Sequence, residues 1–169
     1  MSKRAALEFD RPRSIRIVEE DVPEIGEEEL LVESECSGVS AGTEMLFYRG
    51  EVPEGLAVDE TISALSGEVT YPLRYGYALV GRVTSLGSAV DSSYRDKRVF
   101  AFHPHASHAV VPAEAVVPLP EDLPPERAVF LPNLETAVNL LLDGRPMLGE
   151  NVAVLGLGVG GALTALLAG

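Results

Sequence analysis

The stretch that most constrains this chain is Asn151-Val-Ala-Val-Leu-Gly156-Leu-Gly158-Val159-Gly160-Gly161. An apolar run with β character, residues 152–155, leads directly into a Gly156-x-Gly158-x-x-Gly161 pattern and then into a helix-like stretch, residues 162–168. Glycines at this spacing between a strand and a helix suit a dinucleotide pyrophosphate. The first makes the tight turn, the second lets the backbone approach the phosphates, and the third lets helix and strand pack closely. The helix N-terminus adds free N–H groups and partial positive charge. Gly156, Gly158, Val159, Gly160 and Gly161 are therefore the expected cofactor-binding residues, for NAD or NADP. The acidic residue that such a unit places about 20 residues further on would fall beyond Gly169. Only the opening of the unit is expected here, and the 169 residues are expected to be inactive alone.

Charge narrows the partners. With 13 Lys and Arg against 26 Asp and Glu, the formal net charge is −13. Such a surface repels phosphate backbones, so nucleic acid and anionic membrane are excluded as partners. Cys36 is the only cysteine, which rules out a disulfide framework and a cysteine-based zinc cluster and fits a reducing cytoplasm. The N-terminus lacks the apolar core of a secretory signal. Residues 152–169 are apolar except for Thr164 and reach the lower edge of a membrane span. Their glycines and the lack of a basic flank make a buried strand and helix the better reading, with a tail anchor the weaker alternative.

Residues 1–120 alternate in short runs punctuated by Gly, Pro, Asp and Ser. Strands are expected at 4–9 and 14–19 about a turn at 10–13, then at 29–35, 77–85, 98–102, 107–111 and 115–119. Many short strands and few helical periods predict a small barrel or sandwich. Beyond Pro120, residues 126–142 carry apolar side chains at helical spacing, broken near Pro132 and Asn133 into two helices. The fold class is thus mixed: a β-rich domain over 1–125, and the start of an α/β dinucleotide domain over 126–169.

Several of these motifs together resemble the medium-chain alcohol dehydrogenase superfamily. They are the β-rich first domain, Glu135-Thr136-Ala137, and the segment from Gly149 through Gly161. Ser37-Gly-Val-Ser40-Ala-Gly-Thr43-Glu44, Tyr75-Gly76-Tyr77-Ala78 and Phe102-His103-Pro104-His105 are similar to its branch containing the bacteriochlorophyllide a dehydrogenases. The resemblance implies a GroES-like substrate domain followed by a Rossmann domain. It also implies an NAD(P)-dependent oxidoreductase acting on a small alcohol or carbonyl compound, and it allows a homodimer without specifying one. In that family the insert at 51–70 contributes to the substrate pocket, and Thr136 lines the cofactor.

The departures from the family bear on metal. Where zinc relatives carry a catalytic Cys, this chain offers Ser40. Where they carry a His-Glu pair after a Gly, it offers Tyr77 and Ala78 after Gly76, and the third ligand position falls near Pro132. Neutral hydroxyls are poor zinc ligands, so the resemblance implies a member without catalytic zinc. Ser40, Thr43 and Tyr77 then become the candidate catalytic residues, donating hydrogen bonds to a carbonyl oxygen.

Each candidate has a structural counterpart. Ser40 and Thr43 are good turn residues, and Tyr77 could be a core aromatic whose hydroxyl bonds to backbone. Glu44 and Glu135 are the carboxylates nearest the expected cleft, with Glu135 read first as a helix first-turn residue. His103, His105 and His108 admit a metal site, a substrate-facing donor or an exposed loop. Cys36 reads as a buried small hydrophobe. A non-catalytic GroES-like binding or assembly module is the competing function.

Overall fold

The computed structural model describes residues 2–52, 69–147 and 149–169. It divides into two compact units, Met1–Val129 and Phe130–Gly169. Most of the insert at 51–70 lies outside the described residues.

In the first unit, β1 (Lys3–Arg11) and β2 (Ser14–Asp21) form an antiparallel hairpin in which Phe9 faces Ile15 and Ala6 faces Val18. The turn between them puts Arg13 at φ 63°. Strands β3 (Glu29–Ser37), β4 (Leu79–Leu86), β5 (Arg98–Ala101), β6 (His108–Pro112) and β7 (Val116–Pro118) make a second sheet. Its order is β6-β3-β4-β5-β7, antiparallel throughout. Alternation along these strands sends Leu30 and Val32, Val99 and Ala101, and Ala109 and Val111 into one core with Leu79, Val83 and Val116. Leu30, Val32, Leu79, Val83 and Val99 are fully buried. Each such side chain contributes about 1.5–3 kcal/mol relative to exposure. The β3–β4 register slips between Leu31 and Val32 and again between Ser34 and Cys36. Irregularities of this kind bend and twist a sheet, and here the result is a curled, half-barrel sheet.

Ion pairs tie distant segments of this unit together. Glu20 on β2 takes both Arg4 of β1 and Arg74. Arg98 of β5 pairs with Glu35 of β3 and donates to the carbonyls of Glu121 and Leu123.

Local structure departs from the expectations at three places. The turn chemistry read at residues 40–43 leads into a helix that was not expected, α1 (Thr43–Arg49). The strand expected at 77–85 begins only at Leu79, because Gly76 sits at φ +139° and turns the chain out of β geometry. A metal site formed by His103 and His105 on one strand face, an arrangement their i, i+2 spacing would allow in a strand, is not formed, since residues 102–105 are outside any strand. Pro104 has no N–H to donate to a ladder. The helical stretch around Pro132 does split, into α2 (Pro125–Ala128) and α3 (Leu131–Gly144). Pro132 occupies the first turn of α3, where its missing N–H is not needed.

The second unit holds α3 and α4 (Val159–Ala168). Residues 152–155 belong to no strand. A strand exists through ladder bonds to a neighbour, and these residues have none among the described ones. No helix among the described residues is long and apolar enough to cross a membrane.

Candidate functional site

The segment between β5 and β6 is stitched to both sheets. Leu7 donates to the His105 carbonyl and Ser107 to the Ala5 carbonyl, at 3.0 and 2.8 Å. Ser34 of β3 donates its N–H to the Ser107 carbonyl and its hydroxyl to the Ala106 carbonyl. This double attachment fixes His105 where hairpin, sheet and α1 meet. Its imidazole is buried, with 6% of its surface exposed.

Each ring nitrogen of His105 has a partner. Nδ1 lies 2.8 Å from the Ser37 hydroxyl, and Nε2 lies 2.8 Å from Oε2 of Glu44, itself 2% exposed. The other Glu44 oxygen accepts the Ser40 N–H at 2.9 Å. The Ser40 hydroxyl in turn accepts the Thr43 N–H at 3.2 Å. The Ser40 hydroxyl and the Glu44 carboxylate thereby close the turn that leads into α1, whose N-cap residue is Gly42. Ser40 still has a hydroxyl proton to donate, and Thr43 stands exposed at the first position of the helix.

Gly76 is shaped by the same imidazole. A Cβ there would lie 2.9 Å from His105 Cδ2 and Nε2, and its φ of +139° is one that L side chains rarely adopt. Glycine therefore lets the chain pass against His105 and present Tyr77. Tyr77 is half-buried and packs edge-on against Tyr75, with ring centroids 6.3 Å apart; Tyr75 stacks on Phe47 of α1 at 4.1 Å. The Tyr77 hydroxyl makes no hydrogen bond among the described residues. Ser40 and Tyr77 are linked through Glu44, His105 and Gly76 rather than by direct contact.

Beside the pair lies a cavity of about 240 Å³. Leu7, Phe9, Ile15, Val39 and Met45 supply its apolar wall, while Glu44 and His105 reach it from below.

The other candidates have separate settings. His103 is held by its own turn, Nδ1 donating to the Pro104 carbonyl at 2.7 Å. Burial pushes its pKa down, against that hydrogen bond. His108 Nδ1 meets the Ser107 hydroxyl at 3.1 Å. The three histidines thus have different partners, and no group of three His, Cys, Asp or Glu among the described residues is arranged to hold a metal. Cys36 is half-buried, and burial pushes its thiol up.

In the second unit Thr136 is exposed, and its hydroxyl donates to the Pro132 carbonyl at 2.9 Å. Glu135 is exposed on α3. Gly156 has φ +92°, Gly158 caps α4, and the helix begins at Val159. A side chain at Gly161 would run into the Gly156 carbonyl, whereas Gly156, Gly158 and Gly160 face open space. One glycine is thus required by close packing and another by its backbone angle, and the surface of the turn is clear.

The Ser37–His105–Glu44 network went unassigned in the sequence.

No protein-family model matches the chain. An L-threonine 3-dehydrogenase from Ruegeria pomeroyi is 28% identical, across 96% of this chain and 53% of that protein. An E. coli short-chain alcohol dehydrogenase solved with NADH superposes with a TM-score of 0.80 at 20% identity, covering 99% of this chain and 53% of that one. The relatives are medium-chain, alcohol-dehydrogenase-like oxidoreductases. A Sinorhizobium meliloti dehydrogenase described as zinc-binding and solved with NADP gives a TM-score of 0.79 at 24% identity, with coverage of 99% and 53%. The chain has the fold of these enzymes and spans about half the length of the relatives it matches.

Proposed function

We propose that this chain supplies the GroES-like substrate domain and the first part of the Rossmann domain of an NAD(P)-dependent oxidoreductase. Its reaction moves hydride between nicotinamide and a small alcohol or carbonyl compound, without catalytic zinc. The observation that carries the reading is the glycine turn at 156–161, where Gly161 packs on the Gly156 carbonyl and a clear face lies before the start of α4. These residues fit a pyrophosphate: nothing shields the Gly158 and Gly160 backbone, and the first N–H groups of the helix have no side-chain cap.

Gly156, Gly158, Val159, Gly160 and Gly161 would hold the dinucleotide. The nicotinamide, when bound, gives or takes the hydride. Ser40 and Tyr77 each have a hydroxyl proton with no acceptor among the described residues, which suits them to polarise a carbonyl oxygen, with Thr43 beside Ser40. Glu44 and His105 hold the Ser40 turn and the Gly76 corner in place. Thr136, whose hydroxyl is occupied by the Pro132 carbonyl, would offer the cofactor its methyl group and an oxygen acceptor.

Zinc does not fit the donor set. The family resemblance puts Ser40 and Tyr77 at positions that carry zinc ligands in zinc members, neutral hydroxyls are poor zinc ligands, and the Glu44–His105 pair is already internally bonded, which supports a site without zinc. A single cysteine, Cys36, fits a cytoplasmic setting.

The test is to express the enzyme containing this chain, assay its metal content, and follow nicotinamide reduction with short-chain alcohols. Turnover with less than stoichiometric zinc supports the reading. One tightly held zinc whose removal abolishes turnover, or no turnover with any alcohol or carbonyl, refutes it.

A further inference from the structure

We infer that the free edge of β2 is the contact through which two copies of this chain pair, strand against strand, about a twofold axis beside Ile17. The contact lies wholly within the first unit and does not rest on the proposed function.

Backbone comes first. β2 has β1 on one side and no strand on the other among the described residues. None of its backbone groups bonds outside the hairpin among those residues. An edge eight residues long is a template for a further strand unless proline, a bulge or charge blunts it. β2 contains no proline, and the one irregularity of the hairpin lies on β1, between Phe9 and Arg11. At its centre Ile15 and Ile17 are 52% and 63% exposed, on the face they share with Phe9 and Leu7.

Charge selects the partner. Arg13 and Arg16 lie at the start of the strand, and Glu19, Glu20 and Asp21 at its end. A parallel neighbour of the same sequence would set like charges side by side. An antiparallel copy sets the basic end of each strand against the acidic end of the other, twice over, as an isologous contact requires. The net charge of −13 opposes association elsewhere, so contact falls to a segment that carries both signs.

Pleating limits the alignment. Directly opposed side chains lie on one face of the sheet, so the axis must pass beside a residue that faces its own copy. About Arg16, like charges would stand directly opposed. About Val18, Ile17 would face Glu19 and Ile15 would face Asp21. About Ile17, the isoleucines of both copies join in one apolar stripe and Arg13 meets Asp21 at either end. One pair of edge strands is a small interface, so the dimer is weak and concentration-dependent.

Sedimentation of the chain over a concentration series reaching about 1 mM should show a monomer–dimer equilibrium. Arg13→Asp and Asp21→Arg each place like charges at both ends of the pair. Each should raise the dissociation constant about tenfold or more. Mixed in equal amounts, the two variants regain opposite charges at both ends, so the mixture should dimerise as the unaltered chain does. A disulfide reads the alignment. In a Cys36→Ser background, Ile17→Cys brings two thiols face to face, with Cα atoms about 4.5–5.5 Å apart and within disulfide reach. That variant should cross-link under mild oxidation. Arg16→Cys in the same background should not, because its two thiols are offset by about 7 Å along the strands. Both positions are exposed, and circular dichroism should be unchanged.

The inference is overturned by a chain that stays monomeric throughout the series, or by a mixture no tighter than its components. Association that neither charge variant weakens also overturns it, since the contact then lies elsewhere, as does equal cross-linking of the two cysteine variants.

Discussion

Glu44 and His105 meet at 2.8 Å in a setting that exposes 2% of one residue and 6% of the other. They come from a helix and a loop 61 positions apart in sequence. Through Ser37 and the Ser40 N–H, the contact fastens β3, α1 and the β5–β6 connection to one another. Buried polar groups that are fully bonded specify one arrangement, while removal of one member leaves the other without its partner.

Glu44→Ala should therefore destabilise the first unit by about 2–4 kcal/mol, and Glu44→Gln by clearly less, since the amide oxygen can still accept a hydrogen bond. Urea unfolding followed by circular dichroism measures both. Equal losses for the two variants would show that the hydrogen bonds contribute little.

Gly76→Ala should destabilise by about 1–3 kcal/mol, because it combines a positive φ with a Cβ placed 2.9 Å from the His105 ring. The His105 ring resonances should move as well. An unchanged midpoint would mean that the corner is more compliant than its geometry implies.

Stability should fall in acid in two stages. Hydrogen bonding to Arg74 and then to Arg4 lowers the Glu20 pKa to about 2 against an ordinary 4.5. A folded-state pKa below the unfolded one means stability present above pH 4.5 and lost as pH falls through about 2. Burial holds His103 below its usual 6.5, so its contribution begins to fade as pH drops through 6.5. Glu20→Gln should shrink the lower stage without touching the upper one, leaving the part that Glu35 contributes through its hydrogen bond to Arg98, as read from unfolding midpoints across pH.

In the enzyme containing this chain, Tyr77→Phe should lower kcat about a hundredfold with little change in KM or in stability. Ser40→Ala should lower kcat too, and also cost about 1 kcal/mol of stability, because its oxygen accepts at the start of α1. A Tyr77→Phe variant with full activity would remove Tyr77 from the chemistry.

The β-rich first unit was legible because its strands alternate. Leu30 and Val32, and Ala109 and Val111, mark their buried face at the spacing that pleating dictates. The glycine turn was legible because its requirements are local: a positive φ at Gly156 and no side chain at Gly161. Helix α1 was hidden by the turn chemistry of Ser-Ala-Gly-Thr, which is also the chemistry of a helix start. The role of His105 was hidden for a different reason. Its partners, Ser37 and Glu44, lie 68 and 61 positions away, and only the curl of the sheet brings them together.

The central claim is that the glycine turn takes a dinucleotide. Amide-resolved NMR of the chain during an NADH titration tests it most directly, with Gly161→Val as the matched variant. The account predicts saturable shifts at Gly156, Gly158, Val159 and Gly160 that vanish in Gly161→Val while the β-rich unit is unmoved. Shifts absent from the turn, or surviving unchanged in Gly161→Val, would contradict it.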